Sequence, residues 1–289
     1  MISLIVIEAH INILSIKKYR FHVKHPIAGM LVREIDCKTA LSSSHLPGYD
    51  YALNPYRGCE HACIYCYAPA VLRERREWGS FVDVKVNMPL VLARELRKKE
   101  KGVVGISTVT DAYQPVEKKY ELTRRCLEQL LKKDFPICIQ TKSSLVLRDL
   151  DLIERFSQKE VGFTITTIDD ETRKKYEPYS SPAGERITAL EELASNGIKT
   201  WVFIGPIMPF ITEKNLDSFI KELARVKVDY VLVDRLRMKP GLEEKMRKFF
   251  STHYPELASK YSGINEEYFQ GVKNKIIDLC KKYGVKCTA

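Results

Sequence analysis

Three cysteines, Cys59, Cys63 and Cys66, fall within eight residues of one another in the segment NPYRGCEHACIYCYAP, residues 54 to 69. Their spacing is C-x3-C-x2-C. Thiolates are ligands for soft metals and for iron-sulfur clusters. Three of them on one short loop can take three irons of a 4Fe-4S cube, whereas clusters that only carry electrons are held by four protein cysteines. A three-cysteine loop therefore leaves the fourth iron open to an exogenous ligand. Zinc is the competing metal, with His61 completing a Cys3His set. Structural zinc sites more often draw ligands in pairs from two separated knuckles, while here all four would crowd into eight residues. Cys37, Cys126, Cys138, Cys280 and Cys287 are isolated and read as packed or surface thiols, because free cysteine behaves as a small hydrophobe.

Such a loop needs a scaffold. From residue 102 onward, short β-rich apolar runs alternate with segments of helical spacing. VVGISTVT (103 to 110), PICIQTKS (136 to 143), VGFTITTI (161 to 168), KTWVFIGPIM (199 to 208) and VDYVLVDRLRM (228 to 238) are the expected strands. Helices are expected at 117 to 133, 149 to 157, 184 to 196 and 212 to 225, the third closed by Asn196-Gly197. Strand followed by helix predicts a parallel sheet with helical crossovers. A strand near 51 to 56 and a helix after the cysteines complete six βα units. The fold class is α/β, a partial (β/α)6 TIM-like barrel, in which chemistry sits at the carboxyl ends of the strands. Residues 35 to 240 make the core, 1 to 34 an N-terminal extension with Met30 as an alternative start, and 241 to 289 a helical extension packed on the core.

With 289 residues, 45% hydrophobic and 29% charged, the chain can bury a core without disulfide staples. Its first sixteen residues are apolar, but Glu8, His10 and Asn12 interrupt them. A membrane span needs roughly 20 apolar residues and a secretory signal a basic start. The expectation is a cytoplasmic protein with no membrane partner, whose closely spaced cysteines bind metal rather than form disulfides. The net charge of +10 permits a nucleic-acid partner, although runs such as RELRKKEK (94 to 101) read as solvated helix faces. For a nucleic-acid substrate, Arg57, Arg73, Arg75, Arg76 and Trp78 would supply phosphate contacts and a stacking ring beside the cysteine loop.

With Tyr65 before the third cysteine, the motif reads C-x3-C-x-aromatic-C, and here the chain resembles the radical S-adenosylmethionine (radical SAM) superfamily. A finer resemblance, to the spore-photoproduct-lyase-like branch often labelled DNA repair photolyase homologues, rests on five segments. They are NPYRGCEHACIYCYAP, TDAYQPVEKKYELTR (110 to 124), TKSSLVLRDLDLIE (141 to 154), EPYSSPAGERI (177 to 187) and IGPIMPFIT (204 to 212). The resemblance implies a 4Fe-4S cluster on the three cysteines, SAM chelating the open iron, and reductive cleavage to a 5'-deoxyadenosyl radical. It also implies an electron donor of flavodoxin or ferredoxin type and a substrate that the resemblance leaves unidentified, nucleic acid being one candidate.

The residues that the resemblance brings forward stand at strand ends. Tyr65 would lie against the adenine, and Thr108 and Asp111 would meet the SAM amino group. Lys142 closes the third strand in the same cofactor-binding set. Thr166 on the fourth strand and Arg186 beyond it would address the ribose and carboxylate. Simpler uses compete: a turn or helix cap for Asp111, packing for Tyr65, and a surface ion pair with Glu185 or Glu191 for Arg186. Gly205, Pro206 and Pro209 would turn backbone out of the ladder towards the adenine edge. Asp234 and Arg235 face the substrate opening or pair with each other. Neither Cys126, mid-helix, nor Cys138, within a strand, matches the hydrogen-donating cysteine of the lyase, so thymine-dimer repair does not carry over. Two other classes stay open: a zinc-stabilised nucleic-acid-binding protein, and a 4Fe-4S electron carrier or sensor without SAM chemistry.

Overall fold

A computed structural model describes residues 29 to 288. The apolar start and most of the expected N-terminal extension lie outside the described residues. The chain opens with β1 (Leu31–Ile35), β2 (Leu41–Ser43), β3 (Tyr51–Leu53) and β4 (Tyr56–Arg57), then α1 (Ala68–Val71), β5 (Phe81–Lys85) and α2 (Met88–Glu95). Strand and helix then alternate. β6 (Val104–Ile106) leads to α3 (Glu117–Tyr120) and α4 (Leu122–Leu131), and β7 (Ile137–Thr141) to a 3-10 turn at Ser144–Asp149 and α5 (Leu150–Ile153). β8 (Lys159–Thr164) is followed by α6 (Asp170–Tyr176) and α7 (Ala183–Ser195), and β9 (Lys199–Ile207) by α8 (Leu216–Arg225) and β10 (Tyr230–Arg235). The last elements are α9 (Leu242–His253), α10 (Pro255–Tyr261), α11 (Glu266–Tyr283) and β11 (Cys287–Thr288).

β3, β6, β7, β8, β9 and β10 pair in that order, all parallel, as the strand-helix alternation predicts. β2 adds antiparallel to β3 and β11 parallel to β10, making an eight-stranded sheet whose two edges do not meet. The barrel is therefore partial. The helix-facing layer is Val104, Ile106, Ile137, Ile139, Val161, Phe163, Val202, Ile204, Val231 and Val233, all buried. Period-two alternation puts Gly105, Cys138, Gln140, Gly162, Trp201 and Phe203 on the other, inner face.

The inner face is closed at the amino ends of the strands by two rings seated on glycine. A Cβ at Gly105 would lie 2.6 Å from the Tyr49 ring, and one at Gly162 would lie 2.0 Å from the Trp201 indole. Trp201 in turn stacks on Tyr230, with centroids 6.0 Å apart. That leaves the carboxyl ends as the way in.

Several elements depart from the sequence reading for local reasons. The strand expected at 51 to 56 splits before Pro55, which has no N–H for the ladder, and Tyr56–Arg57 joins β5 instead. With β1 parallel to β5, this forms a second, three-stranded sheet that no periodicity announced. Its core holds Met30, Val32, Tyr56, Val82 and Val84, so the boundary expected after residue 34 cuts through a paired strand. The helix expected at 117 to 133 breaks at Glu121, whose φ is +47°. The helix expected at 149 to 157 begins earlier, as the 3-10 turn, and the strand expected at 161 to 168 starts at Lys159 and ends at Thr164. The C-terminal segment is not wholly helical, since β11 extends the sheet. Among the described residues, no helix is long and apolar enough to cross a membrane.

The seat of Trp201 on Gly162 can be tested. Gly162→Ala is expected to destabilise the fold by about 1–3 kcal/mol, the usual cost of overpacking a filled core. Chemical denaturation should register it as a lowered midpoint at unchanged slope; an unaltered midpoint would mean the indole does not sit there.

Candidate active site

Between Leu53 and Ala68 the chain carries only the two-residue strand β4, so most of its backbone polar groups need partners from outside. The segment after β6 supplies one flank. Asn54 Oδ1 accepts the N–H groups of Thr108 and Val109, each at 3.0 Å, and its Nδ2 donates to Thr108 Oγ1 at 2.8 Å. The Gly58 carbonyl accepts from Thr110 Oγ1 at 2.6 Å, and the Glu60 amide donates to Gln114 Oε1 at 2.9 Å. The buried Glu60 carboxylate accepts the Val116 N–H. His61 Nδ1 lies 3.3 Å from Asp111 Oδ2. The segment around the end of α6 supplies the other flank: Ile64 N–H donates to the Tyr176 carbonyl at 3.1 Å, and the Tyr65 hydroxyl donates to Glu177. Gly58, at φ +92°, is obligatory, since a Cβ there would lie 2.2 Å from the Phe81 carbonyl oxygen.

This stitching holds Cys59 and Cys63 buried and Cys66 partly buried, all as free thiols. Burial pushes all three thiols up, Cys63 to about 12 even though the Lys142 ammonium opposes it. Ligation to a cationic metal assembly deprotonates thiols and offsets that penalty. The donor set discriminates between the two metals. Tetrahedral zinc needs four donors about 2.0–2.3 Å from one ion. Among the described residues no three His, Cys, Asp or Glu side chains converge tightly enough to hold a single ion. Three thiolates on one loop suit a cube that takes one thiolate per iron, whereas the Cys3His zinc set would need His61, whose Nδ1 already faces Asp111.

The residues singled out at the strand ends gather around this loop, but most are already engaged. Asp111 Oδ1 accepts from Thr141 Oγ1 at 2.7 Å and from Tyr113 N–H at 2.9 Å, and Oδ2 accepts from Lys142 N–H at 2.8 Å. It is a turn residue tying the loop's flank together. Burial raises its pKa, but His61 and Lys142 prevail and hold it well below the ordinary aspartate value. Thr108 is bound to Asn54, and its carbonyl accepts the Tyr67 hydroxyl. Thr166 Oγ1 and the Tyr176 hydroxyl are 2.8 Å apart. The Tyr65 ring packs against Tyr176 with centroids 6.0 Å apart.

Arg186 departs furthest from the reading of it. It is 1% exposed. Its Nε donates to the Ser181 carbonyl at 2.8 Å, Nη1 to the Thr164 carbonyl at 2.6 Å, and Nη2 to Glu177 Oε2 at 2.8 Å and to Ser180 Oγ. The surface pairs fail as well, since Glu185 accepts from Ser144 and Glu191 pairs with Arg225. Arg186 thus reaches the cysteine loop through Glu177 and Tyr65. Burial would raise Glu177, but Arg186 and Lys142 hold it below the ordinary glutamate value.

Lys142 is different. Its ammonium lies 5.8 Å from the centre of the Tyr65 ring, and among the described residues no carboxylate is within ion-pair distance of it. Burial disfavours the charge, but Cys63, Glu177 and Asp111 outweigh burial and raise its pKa.

Further out, the ladder between β9 and β10 breaks where Gly205 and Pro206 stand opposite Asp234, as the prolines suggested. Asp234 and Arg235 do not form a mutual ion pair: Asp234 pairs with Arg237 at 3.1 Å and Arg235 with Glu266. Arg57 and Arg76 are tied to Glu74, and Arg76 also to Asp83, leaving Arg73 and Arg75 as the exposed cations of that cluster. Asn54, Glu60, Gln114 and Glu177 escaped the sequence reading. All lie inside the recognised motifs, but their partners are distant in sequence, which spacing alone does not reveal.

The radical SAM superfamily model matches residues 53–223, more than half of the chain, and the chain belongs to that superfamily. An uncharacterized protein of Methanocaldococcus jannaschii is 36% identical over 251 residues, covering 86% of this chain and 93% of that protein. A spore photoproduct lyase of Clostridium acetobutylicum is 23% identical over 240 residues, covering 80% of this chain and 68% of the lyase. Among solved structures, spore photoproduct lyase complexed with dinucleoside spore photoproduct matches with a TM-score of 0.69 at 18% identity, over 89% of this chain and 81% of that one. That likeness is one of fold. The chain is accordingly an enzyme, and the cofactors of its family are a 4Fe-4S cluster and SAM.

The buried pair behind the loop should be strongly coupled. Arg186→Met and Glu177→Gln are each expected to destabilise the protein by about 3–5 kcal/mol, because each leaves a partner unpaired in the interior. In a denaturation double-mutant cycle the double variant should lose less than the sum; additive losses would show that the two side chains act independently.

Proposed function

We propose that the chain reductively cleaves SAM at a 4Fe-4S cluster held by Cys59, Cys63 and Cys66, and acts on a nucleobase-containing substrate admitted to the inner face of the open barrel. When bound, the reduced cluster supplies the electron that splits the sulfonium into methionine and a 5'-deoxyadenosyl radical. The protein's part is to place and shield. The observation that carries the reading is the juxtaposition of Lys142, a half-buried lysine with no carboxylate within ion-pair distance among the described residues, with the three-cysteine loop, its ammonium 5.8 Å from the Tyr65 ring. An open iron needs a ligand, and a half-buried cation without an ion-pair partner is suited to an anion. The amino-acid end of SAM meets both requirements, with its carboxylate towards Lys142.

Tyr65, Glu177 and Arg186 hold the loop's far flank, and Thr108 with Asp111 its near one, in supporting roles rather than as direct ligands. The tyrosine and tryptophan seated on Gly105 and Gly162 close the amino end of the inner face, so substrate arrives from the side on which the cysteines lie. There the half-buried Phe203 ring offers a stacking surface. Gln140 uses its Nε2 on Thr164 Oγ1 at 3.1 Å, leaving its carbonyl oxygen to accept from a base edge. The net charge of +10 favours a polyanion, and the relatives named for spore photoproduct lyase act in the same direction. Thymine-dimer repair is not part of the proposal: Cys126 is buried in α4, and Cys138 lies at the closed end, 3.5 Å from the Tyr49 hydroxyl. A reductant of flavodoxin or ferredoxin type is the expected electron donor.

Anaerobically reconstituted protein given SAM and dithionite should release 5'-deoxyadenosine, and the Cys59→Ala, Cys63→Ala, Cys66→Ala triple variant should release none. No product from protein with a full, reducible cluster would favour an electron carrier. Added oligonucleotides should accelerate the release; indifference to DNA and RNA alike would remove the substrate half of the proposal. Lys142→Met should weaken SAM binding about ten- to hundredfold, the loss of one charge-assisted contact, at unchanged iron content. Equilibrium dialysis with labelled SAM measures it, and unaltered binding would exclude Lys142 from the carboxylate.

A further inference from the structure

The segment after α1 presses directly on the cysteine loop. Gly79 has φ +95°, and a Cβ there would lie 2.6 Å from Ala62 Cβ, in the middle of the loop. Two residues on, the Phe81 carbonyl is the group that Gly58 must be a glycine to approach. Trp78 adjoins these contacts, edge-on to Phe81 with centroids 6.0 Å apart at 87°. Its Nε1 is buried, and among the described residues no atom accepts its hydrogen. An indole N–H in such a position ordinarily has a partner, since leaving it unmade forfeits a hydrogen bond to water for nothing in return. Through the adjoining Gly79 its segment packs on Ala62, between Cys59 and Cys63, so this unpartnered donor stands beside the loop that carries the thiols.

On the reading that the three cysteines hold an iron-sulfur cluster, we propose that Trp78 donates an N–H···S hydrogen bond to that cluster and raises its reduction potential. The physical reason is charge. Reduction adds an electron that is spread over the cluster's sulfurs, and a fixed N–H dipole aimed at sulfur stabilises the reduced form more than the oxidised one. The effect would fall on the step that the protein must drive, delivery of an electron to a poorly reducible centre. Trp78 is then a tuning residue and touches neither SAM nor substrate.

Two measurements decide it. An EPR-monitored redox titration should give Trp78→Phe a more negative midpoint than wild type at equal iron content. Should that variant fail to take up its cluster, wild-type protein carrying 15N-indole tryptophan still gives an answer: pulsed EPR of the reduced cluster should detect a coupled indole nitrogen. The chain has 2 tryptophans, and Trp201, stacked on Tyr230 at the amino ends of β9 and β10, cannot be its source. No nitrogen coupling, or identical midpoints in the two proteins, would overturn the role of Trp78 while leaving the cluster in place. A wild-type chain that binds no iron-sulfur cluster would instead take down the reading on which the role rests.

Discussion

A short loop that carries three cysteines in eight residues cannot at the same time satisfy its own backbone. Its amides and carbonyls, left without helix or sheet, must find partners in other segments, and the rest of the architecture follows from that need. Asn54, Gly58, Glu60 and His61 are tied to the residues after β6, and Ile64 and Tyr65 to those at the end of α6. Parallel strands place both groups on the same side of the sheet, at the carboxyl ends. The open barrel thus supplies two flanks at a fixed separation, and the loop is suspended between them.

The same constraint explains the charges behind the loop. Glu177 is fully buried, and such a carboxylate persists only with a cation and hydrogen bonds to match it. Arg186 supplies the cation, Tyr65 and Ser180 the hydrogen bonds. The arrangement fixes the orientation of the aromatic ring that precedes Cys66. Lys142 shares the neighbourhood, and among the described residues no carboxylate lies within ion-pair distance of its ammonium, whose charge Cys63, Glu177 and Asp111 favour from further off.

Much of this was legible in the sequence. The C-x3-C-x-aromatic-C spacing pointed to the family, and strand-helix alternation gave the six parallel strands, because both signals are local. What escaped was long-range or tertiary. Nothing periodic marks β1, β4 and β5 as a separate sheet, for each is short and their pairing spans up to fifty residues. Arg186 was open to two readings, a contact to SAM or a surface ion pair, because helical spacing does not reveal that Glu177 and the Thr164 carbonyl lie beneath it. Asp111 and Thr108 were placed correctly at a strand end, yet their hydrogen-bonding capacity is directed into the protein, an allocation that only the folded geometry discloses. Zinc, which ligand types alone could not dismiss, would need His61 as its fourth ligand, and the folded chain directs His61 Nδ1 at Asp111.

The central claim is that the loop presents a cluster with one iron open to SAM. The most direct test is the EPR spectrum of the anaerobically reconstituted, reduced protein recorded with and without SAM, alongside iron and sulfide analysis. About four irons and four sulfides per chain and a signal whose g values shift on adding SAM are the predicted result. A colourless zinc protein, or a cluster signal indifferent to saturating SAM, would contradict the account.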